Sequence, residues 1–342
     1  MENHRLRGVG VGAGYFSRFH YEAWNRIEQV EIVALSDLDE SKASKMASQF
    51  NIPRVYNSYQ KMIENEKPDF IDIITPPESH LDICSSAANQ KVNIICQKPL
   101  APEFNDALEI IKAVNKENIK FMVHENFRFQ PWHREIKKLL ENDEIGELHF
   151  MNFRCRMGDG WPENAYMDRQ PYFREMPRLF MHETGIHFID VFRFLAGDIV
   201  RVNAHIKKLN KNIQGEDAAL VSFEFKAPVF GILDANRYNE SPYQNPRYTF
   251  GEFLLEGTKG AIDLAADGNI KIRKLGEPPK DHEYEHRDIN FAGDCCFFTQ
   301  KHFIENFIKK TSFETNGDEY LKNLKVEEAV YKSASTGSPQ LV

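Results

Sequence analysis

The 342-residue chain has only five cysteines, Cys84, Cys96, Cys155, Cys295 and Cys296, and no two of them stand in a CxxC spacing. An odd number that includes an adjacent pair argues against a disulfide framework and leaves reduced, structural thiols as the expectation. No apolar run approaches the ~20 residues of a membrane span. The start, Met-Glu-Asn-His-Arg-Leu-Arg, has no apolar signal core, so a cytoplasmic protein is expected. Runs of basic residues are missing too. With 43 Lys and Arg against 51 Asp and Glu the formal net charge is −8, which disfavours nucleic acid or an anionic membrane as partner and favours small neutral molecules. Internal repeats and low-complexity segments are absent, and 42% hydrophobic with 27% charged residues is the balance of a globular protein with room for two domains.

What is present begins with Arg7-Gly8-Val9-Gly10-Val11-Gly12-Ala13-Gly14-Tyr15-Phe16-Ser17. It reads as a strand, a glycine turn and a helix opening near Tyr15, where bare backbone and the positive helix end suit a pyrophosphate. Two registers compete, Gly10-X-Gly12-X-X-Tyr15 and Gly12-X-Gly14-X-X-Ser17. The second is preferred because the third position must be small for the helix to pack on the strand. Asp37 then follows Ser17 by about twenty residues, the usual separation of a ribose-binding acid. A carboxylate there accepts both adenosine ribose hydroxyls and repels a 2′-phosphate, so NAD is expected over NADP.

From Leu6 to about Val123, apolar strands near 6–11, 30–36, 70–74, 93–96 and 120–123 alternate with helices near 15–25, 40–50, 80–89 and 103–115. This rhythm predicts an α/β fold whose N-terminal part is a Rossmann domain, a doubly wound parallel sheet, over residues 1–124. After a helix near 132–141 come long alternating segments near 147–156, 199–208, 217–225, 229–237, 250–256 and 268–274. They predict a C-terminal α+β domain, residues 125–342, with a large open-faced mixed or antiparallel sheet. Helices near 184–195, 295–310 and 317–336 are expected to cover one face of it, leaving the other as a subunit interface.

Two segments carry the chemistry. Cys96-Gln97-Lys98-Pro99-Leu100 places Lys98 at a strand end on the same sheet edge as Gly12 and Asp37, and the proline fixes the course of the turn in a trans or a cis bond. Met181-His182-Glu183-Thr184-Gly185-Ile186-His187 puts Glu183 four residues before His187, on one helical face, so that the carboxylate can orient the imidazole. A zinc site is not expected. His182 and His187 are separated by five positions, which diverge by about 140° around a helix.

Together with His20, with Thr75-Pro76-Pro77-Glu78-Ser79-His80, with Glu125-Asn126-Phe127-Arg128-Phe129-Gln130-Pro131 and with Leu255-Glu256-Gly257-Thr258-Lys259-Gly260, these motifs resemble the glucose-fructose oxidoreductase, inositol dehydrogenase and rhizopine catabolism family (Gfo/Idh/MocA). The resemblance covers nearly the whole chain. Two positions depart from the family pattern: Gln97 stands for its glutamate and Glu183 for its aspartate.

The resemblance implies an NAD-dependent oxidoreductase that moves a hydride between the nicotinamide and a hydroxyl-bearing carbon of a sugar, polyol or sugar derivative. An NADPH-dependent carbonyl or anhydrosugar reductase and a non-catalytic NAD-binding protein are the competing readings. The implied cofactor contacts are Gly12, Gly14, Tyr15 and Phe16 in the turn, Asp37 at the ribose, Thr75, Pro76 and His80 in the proline loop, then Gln97, Lys98 and Asn126. The implied catalytic set is Lys98, His187 and Glu183. His187 is preferred as base because an imidazole titrates near neutrality, whereas a lysine needs its proton affinity lowered. Lys98, Arg128, Trp161 and His187 are expected to meet the substrate, with Arg154, Tyr166, Arg169, Tyr172, Arg174, Arg178, Arg237 and Tyr238 as weaker candidates. No metal is implied. A homodimer or homotetramer through the C-terminal sheet is expected.

Overall fold

The structure is a computed structural model that describes residues 5–342. Its first sheet is built from strands buried on both faces, which is why they read as unbroken apolar runs rather than alternating ones. The first half runs β1 (Leu6–Val11), α1 (Ser17–Asn25), β2 (Val30–Ser36), α2 (Glu40–Phe50), β3 (Val55–Tyr56) and α3 (Tyr59–Glu66). The second half runs β4 (Phe70–Ile73), α4 (His80–Asn89), β5 (Asn93–Gln97), α5 (Phe104–Lys116) and β6 (Phe121–His124). All six strands are parallel in the order β3-β2-β1-β4-β5-β6. The order reverses between β1 and β4, so the glycine turn after β1 and the proline loop after β4 flank the crevice where such sheets bind ligands. Two elements escaped the sequence. β3 is only two residues long, and α3 reads Tyr-Gln-Lys-Met-Ile-Glu-Asn-Glu, with only Met62, Ile63 and Glu66 buried.

The second sheet follows α6 (Pro131–Glu141) and contains β7 (Leu148–Arg156), and after α7 (Ile186–Ala196) come β8 (Ile199–Lys207), β9 (Ala218–Phe225) and β10 (Phe230–Asn236). β11 (Gly251–Gly257), β12 (Gly260–Leu264), β13 (Ile270–Lys274) and β14 (Lys280–His282) precede α8 (Cys295–Lys309) and α9 (Gly317–Thr336), and β15 (Gln340–Leu341) ends the chain. The nine strands lie in the order β14-β13-β12-β11-β7-β10-β9-β8-β15; β7 and β10 run parallel and the other pairs antiparallel. Phe188 of α7 packs on Phe153, and Phe192 on Phe223 and Phe253, so this helix covers one face. The other face exposes Leu220 and Phe230 among the ion pairs Arg154–Glu252, Arg156–Asp234 and Arg201–Glu224. β12, β14 and β15 were not anticipated, the last two because they are three and two residues long.

The chain divides into two compact units, one reaching Asn126 and including Cys296–Leu321, the other formed by Phe127–Cys295 and Lys322–Val342. A single cut after residue 124 therefore misses a return of the chain. The helix expected to cover the second sheet, α8, packs instead in the first unit, where Phe303 meets Phe70 and Trp24 with ring centroids 5.4 and 6.4 Å apart. Its apolar face was legible; which sheet that face covers was not.

Candidate active site

In the first unit the chain leaves β1 at Gly12 with φ 114°, and a Cβ there would stand 2.6 Å from the Ile74 carbonyl oxygen. Only glycine fits. Gly14 differs, since an added Cβ would meet nothing within 4 Å and its backbone faces open space. Tyr15 and Phe16 form the turn, so α1 begins at Ser17, two residues later than the sequence suggested. Ser17 is fully buried, as the small third position requires, and its Oγ has no partner among the described residues. Among the described residues no side chain caps α1, and no acid stands in its first turn. Open glycine backbone beside an uncapped helix fits a dinucleotide pyrophosphate.

Asp37 Oδ2 accepts the Ala13 N–H at 2.7 Å and Oδ1 the Asp39 N–H at 2.8 Å, which ties the tip of β2 to the glycine turn. Each oxygen retains a lone pair for a ribose hydroxyl. In the proline loop the Ser79 hydroxyl donates to Thr75 Oγ1 at 2.7 Å, and Pro76 leads into a short 3₁₀ turn, Pro77–Ser79. His80 is fully buried with Nε2 2.9 Å from the Thr75 carbonyl and Nδ1 3.0 Å from that of Leu100. Burial lowers its pKa below the ordinary value. Its ring therefore lies between this loop and the one after β5, donating to one of the two carbonyls.

The Lys98–Pro99 bond is cis. Gln97, expected among the cofactor contacts, is 7% exposed and has both amide ends engaged inside the protein, Nε2 with His20 and Oε1 with the Lys98 N–H. Asn126 is 2% exposed; its Nδ2 lies 3.6 Å from Cys296 Sγ and its Oδ1 has no partner among the described residues.

In the second unit a π-helical turn, Phe180–Gly185, leads into α7. Glu183 therefore lies in that turn and not, as its spacing suggested, on the helix that carries His187. Glu216 supplies the missing cap. Its backbone carbonyl accepts the Phe180 N–H at 2.9 Å, and its carboxylate accepts the N–H groups of Met181 at 2.9 Å and Leu179 at 3.3 Å and the Tyr331 hydroxyl at 2.7 Å. No motif marks Glu216, which comes from the loop before β9. Glu183 accepts the Thr184 hydroxyl at 2.7 Å and Arg237 at 3.4 Å, and Arg237, fully buried, is held by Asp159 at 2.6 and 3.1 Å.

His187, 4% exposed, lies flat on Phe127, with ring centroids 3.8 Å apart and planes 2° from parallel. Arg128 makes a bidentate pair with Asp190, 2.6 and 2.8 Å, and Asn323 donates to the same carboxylate at 2.7 Å. Arg128 thus anchors the segment of Phe127 to α7. His182 pairs with Glu327 at 2.7 Å. Trp161 is 52% exposed, its indole N–H held by Glu240 at 2.8 Å. Three of the weaker candidates are engaged elsewhere: Arg154 on the sheet with Glu252, Arg178 with Glu328, and Arg174 on the Asn212 carbonyl at 3.2 Å.

Residues 6–125 match the Gfo/Idh/MocA oxidoreductase family, NAD-binding Rossmann fold, and residues 133–263 match the C-terminal domain of that family. The D-apiose dehydrogenase of Paraburkholderia graminis is 31% identical over 343 residues, 97% of this chain and 88% of that protein. An inositol 2-dehydrogenase of Salmonella typhimurium is 28% identical over 98% of this chain and 96% of its own. The crystal structure of an oxidoreductase from Agrobacterium radiobacter, in complex with NAD+, L-tartaric acid and magnesium, has a TM-score of 0.91 at 27% identity over 98% of both chains.

Proposed function

This chain belongs to the Gfo/Idh/MocA family of oxidoreductases, and we propose that it is an NAD-dependent dehydrogenase of a sugar, with D-apiose the first substrate to try and inositols the second. The observation that carries the reading is the open glycine turn beside an uncapped helix, with Asp37 fixed against it. Bound NAD supplies a hydride acceptor at the nicotinamide ring. Asp37 takes the adenosine ribose hydroxyls and disfavours a 2′-phosphate, which argues against the NADPH-reductase reading. Asn126 Oδ1, a buried acceptor, suits an N–H donor such as the carboxamide.

As a carbinol carbon gives up hydride, its hydroxyl must lose a proton. His187 is the proposed base, with the ring plane fixed by Phe127, and Lys98 hydrogen-bonds the developing alkoxide. Glu183, engaged by Thr184 and Arg237, helps to hold the turn that leads to His187, and the exposed ring of Trp161 offers a stacking platform for a sugar. Arg128, paired with Asp190, acts by positioning. The proposal includes a cytoplasmic homo-oligomer whose interface is the sheet face bearing Leu220 and Phe230.

The test follows reduced-nicotinamide absorbance with NAD, then NADP, against D-apiose, other aldoses, inositols and anhydrosugars. Reduction of NAD by a member of this panel supports the reading. A preference for NADP, or turnover only with non-sugar alcohols, overturns it.

A further inference from the structure

His20 sits on α1, one turn past its start, with a wholly buried side chain. Its Nδ1 is 2.8 Å from Asp72 Oδ2 on β4, and its Nε2 is 2.9 Å from Gln97 Nε2 at the end of β5. The ring stacks on His124 at the end of β6, centroids 4.0 Å apart, and meets Phe16 edge-on. Trp24, one turn further along α1, donates its indole N–H to the same Asp72 oxygen at 2.7 Å. Gln97 Oε1 accepts the Lys98 backbone N–H at 2.7 Å.

The directions of these bonds are forced. A backbone N–H can only donate, so Gln97 turns its oxygen to Lys98 and its NH₂ to His20. That NH₂ also can only donate. His20 must therefore offer a lone pair at Nε2 and keep its proton on Nδ1, where Asp72 accepts it. A glutamate at this position would satisfy the Lys98 N–H equally well but has no hydrogen to give, and Nε2 would then need a proton of its own. Among the described residues Asp72 from β4 and His124 from β6 are the ionisable groups facing the ring; Gln97 from β5 is neutral, as is Gln300 of α8 at the His20 backbone oxygen.

The geometry points to Gln97 as a positioning residue and not a cofactor contact: Asp72, His20 and Gln97 form a one-way hydrogen-bond chain that sets the backbone of Lys98. The inference leans on the proposed function only for the use made of the Lys98 side chain; the chain of bonds is a property of the first unit alone. The amide of Gln97 fixes a single imidazole tautomer behind the lysine.

The test is nitrogen NMR on the intact protein labelled with ¹⁵N-histidine, with His20 assigned from the signals missing in His20→Gln. At neutral pH the wild type should show one protonated and one lone-pair nitrogen for His20, and Gln97→Glu should show both protonated. Two protonated nitrogens in the wild type, or no change in Gln97→Glu, overturns the inference. In a second measurement His20→Leu, which removes the acceptor for Gln97, should weaken NAD binding about tenfold, while His20→Gln, which restores one, stays within about threefold of wild type. Equal losses in both variants would reduce His20 to packing and contradict the chain. If His20→Leu does not fold, the wild-type spectrum still decides. The expected tautomer in a protein that turns over no sugar would overturn the proposed function and leave this inference standing.

Discussion

The two units hold their chemistry in different ways. In the first, the groups proposed to meet the cofactor are mostly backbone: an open glycine, an uncapped helix end and the turn after β5, all at the ends of parallel strands. In the second, the proposed base is a side chain on a helix whose entry is a π turn, and that turn is held by a carboxylate from elsewhere in the chain, Glu216. A site made of backbone is written in local sequence, because glycine and proline are chosen for the turn itself. A site made of a packed helix is only half written there, since its cap is tertiary.

The contrast can be broken in several ways. The largest effect expected is from Lys98→Ala, which should lower turnover about 10²–10⁴-fold with NAD affinity little changed, the range for loss of a group acting in proton transfer or alkoxide stabilisation. Steady-state kinetics beside calorimetric NAD titration would check it, and a pure loss of NAD affinity would make Lys98 a cofactor clamp. Gly12→Ala forces a Cβ against the Ile74 carbonyl at a φ of 114°. It should cost roughly 2–3 kcal/mol, about a hundredfold in NAD affinity, while the second unit keeps its stability.

In the second unit, Glu216→Gln puts an NH₂ against the N–H groups that the carboxylate now accepts. Turnover should fall about tenfold and stability by about 1–3 kcal/mol, with NAD affinity intact. Unchanged turnover would show that the π turn holds itself.

A smaller effect is read in acid. Burial lowers the pKa of His133, which donates from Nδ1 to the Phe127 carbonyl at 2.9 Å, to about 4 from 6.5. Between those values the unfolded chain binds more protons than the folded one. Stability is therefore whole above about pH 6.5 and falls toward pH 4, by up to about 3 kcal/mol from this group, with His80 acting in the same sense. Urea midpoints measured across this window should slope less in His133→Gln; an identical slope would assign the acid loss to other groups.

How far the sequence could be read follows the same line. Five of the six parallel strands and the glycine register, with Ser17 buried at its third position, were legible because periodicity and turn chemistry are local. β3 and α3 were not, for want of length and of an apolar stripe. The placement of α8 was hidden because an apolar helix face does not name the sheet it covers. At the site, Gln97 was visible as a departure, but its inward aim depends on His20 and Asp72, brought to it from α1 and β4. An aspartate inside the apolar run Phe70-Ile71-Asp72-Ile73 is a further local signal of that network. Glu183 was placed on the wrong kind of turn because a four-residue spacing assumes α-helical pitch.

The most direct test of the division of labour is His187→Ala, assayed for NAD binding and for turnover of whichever sugar the panel identifies. Turnover lower by at least about a hundredfold, with NAD affinity unchanged, is the predicted result. Turnover within about threefold of wild type would contradict the account and return the proton to Lys98 or to another group.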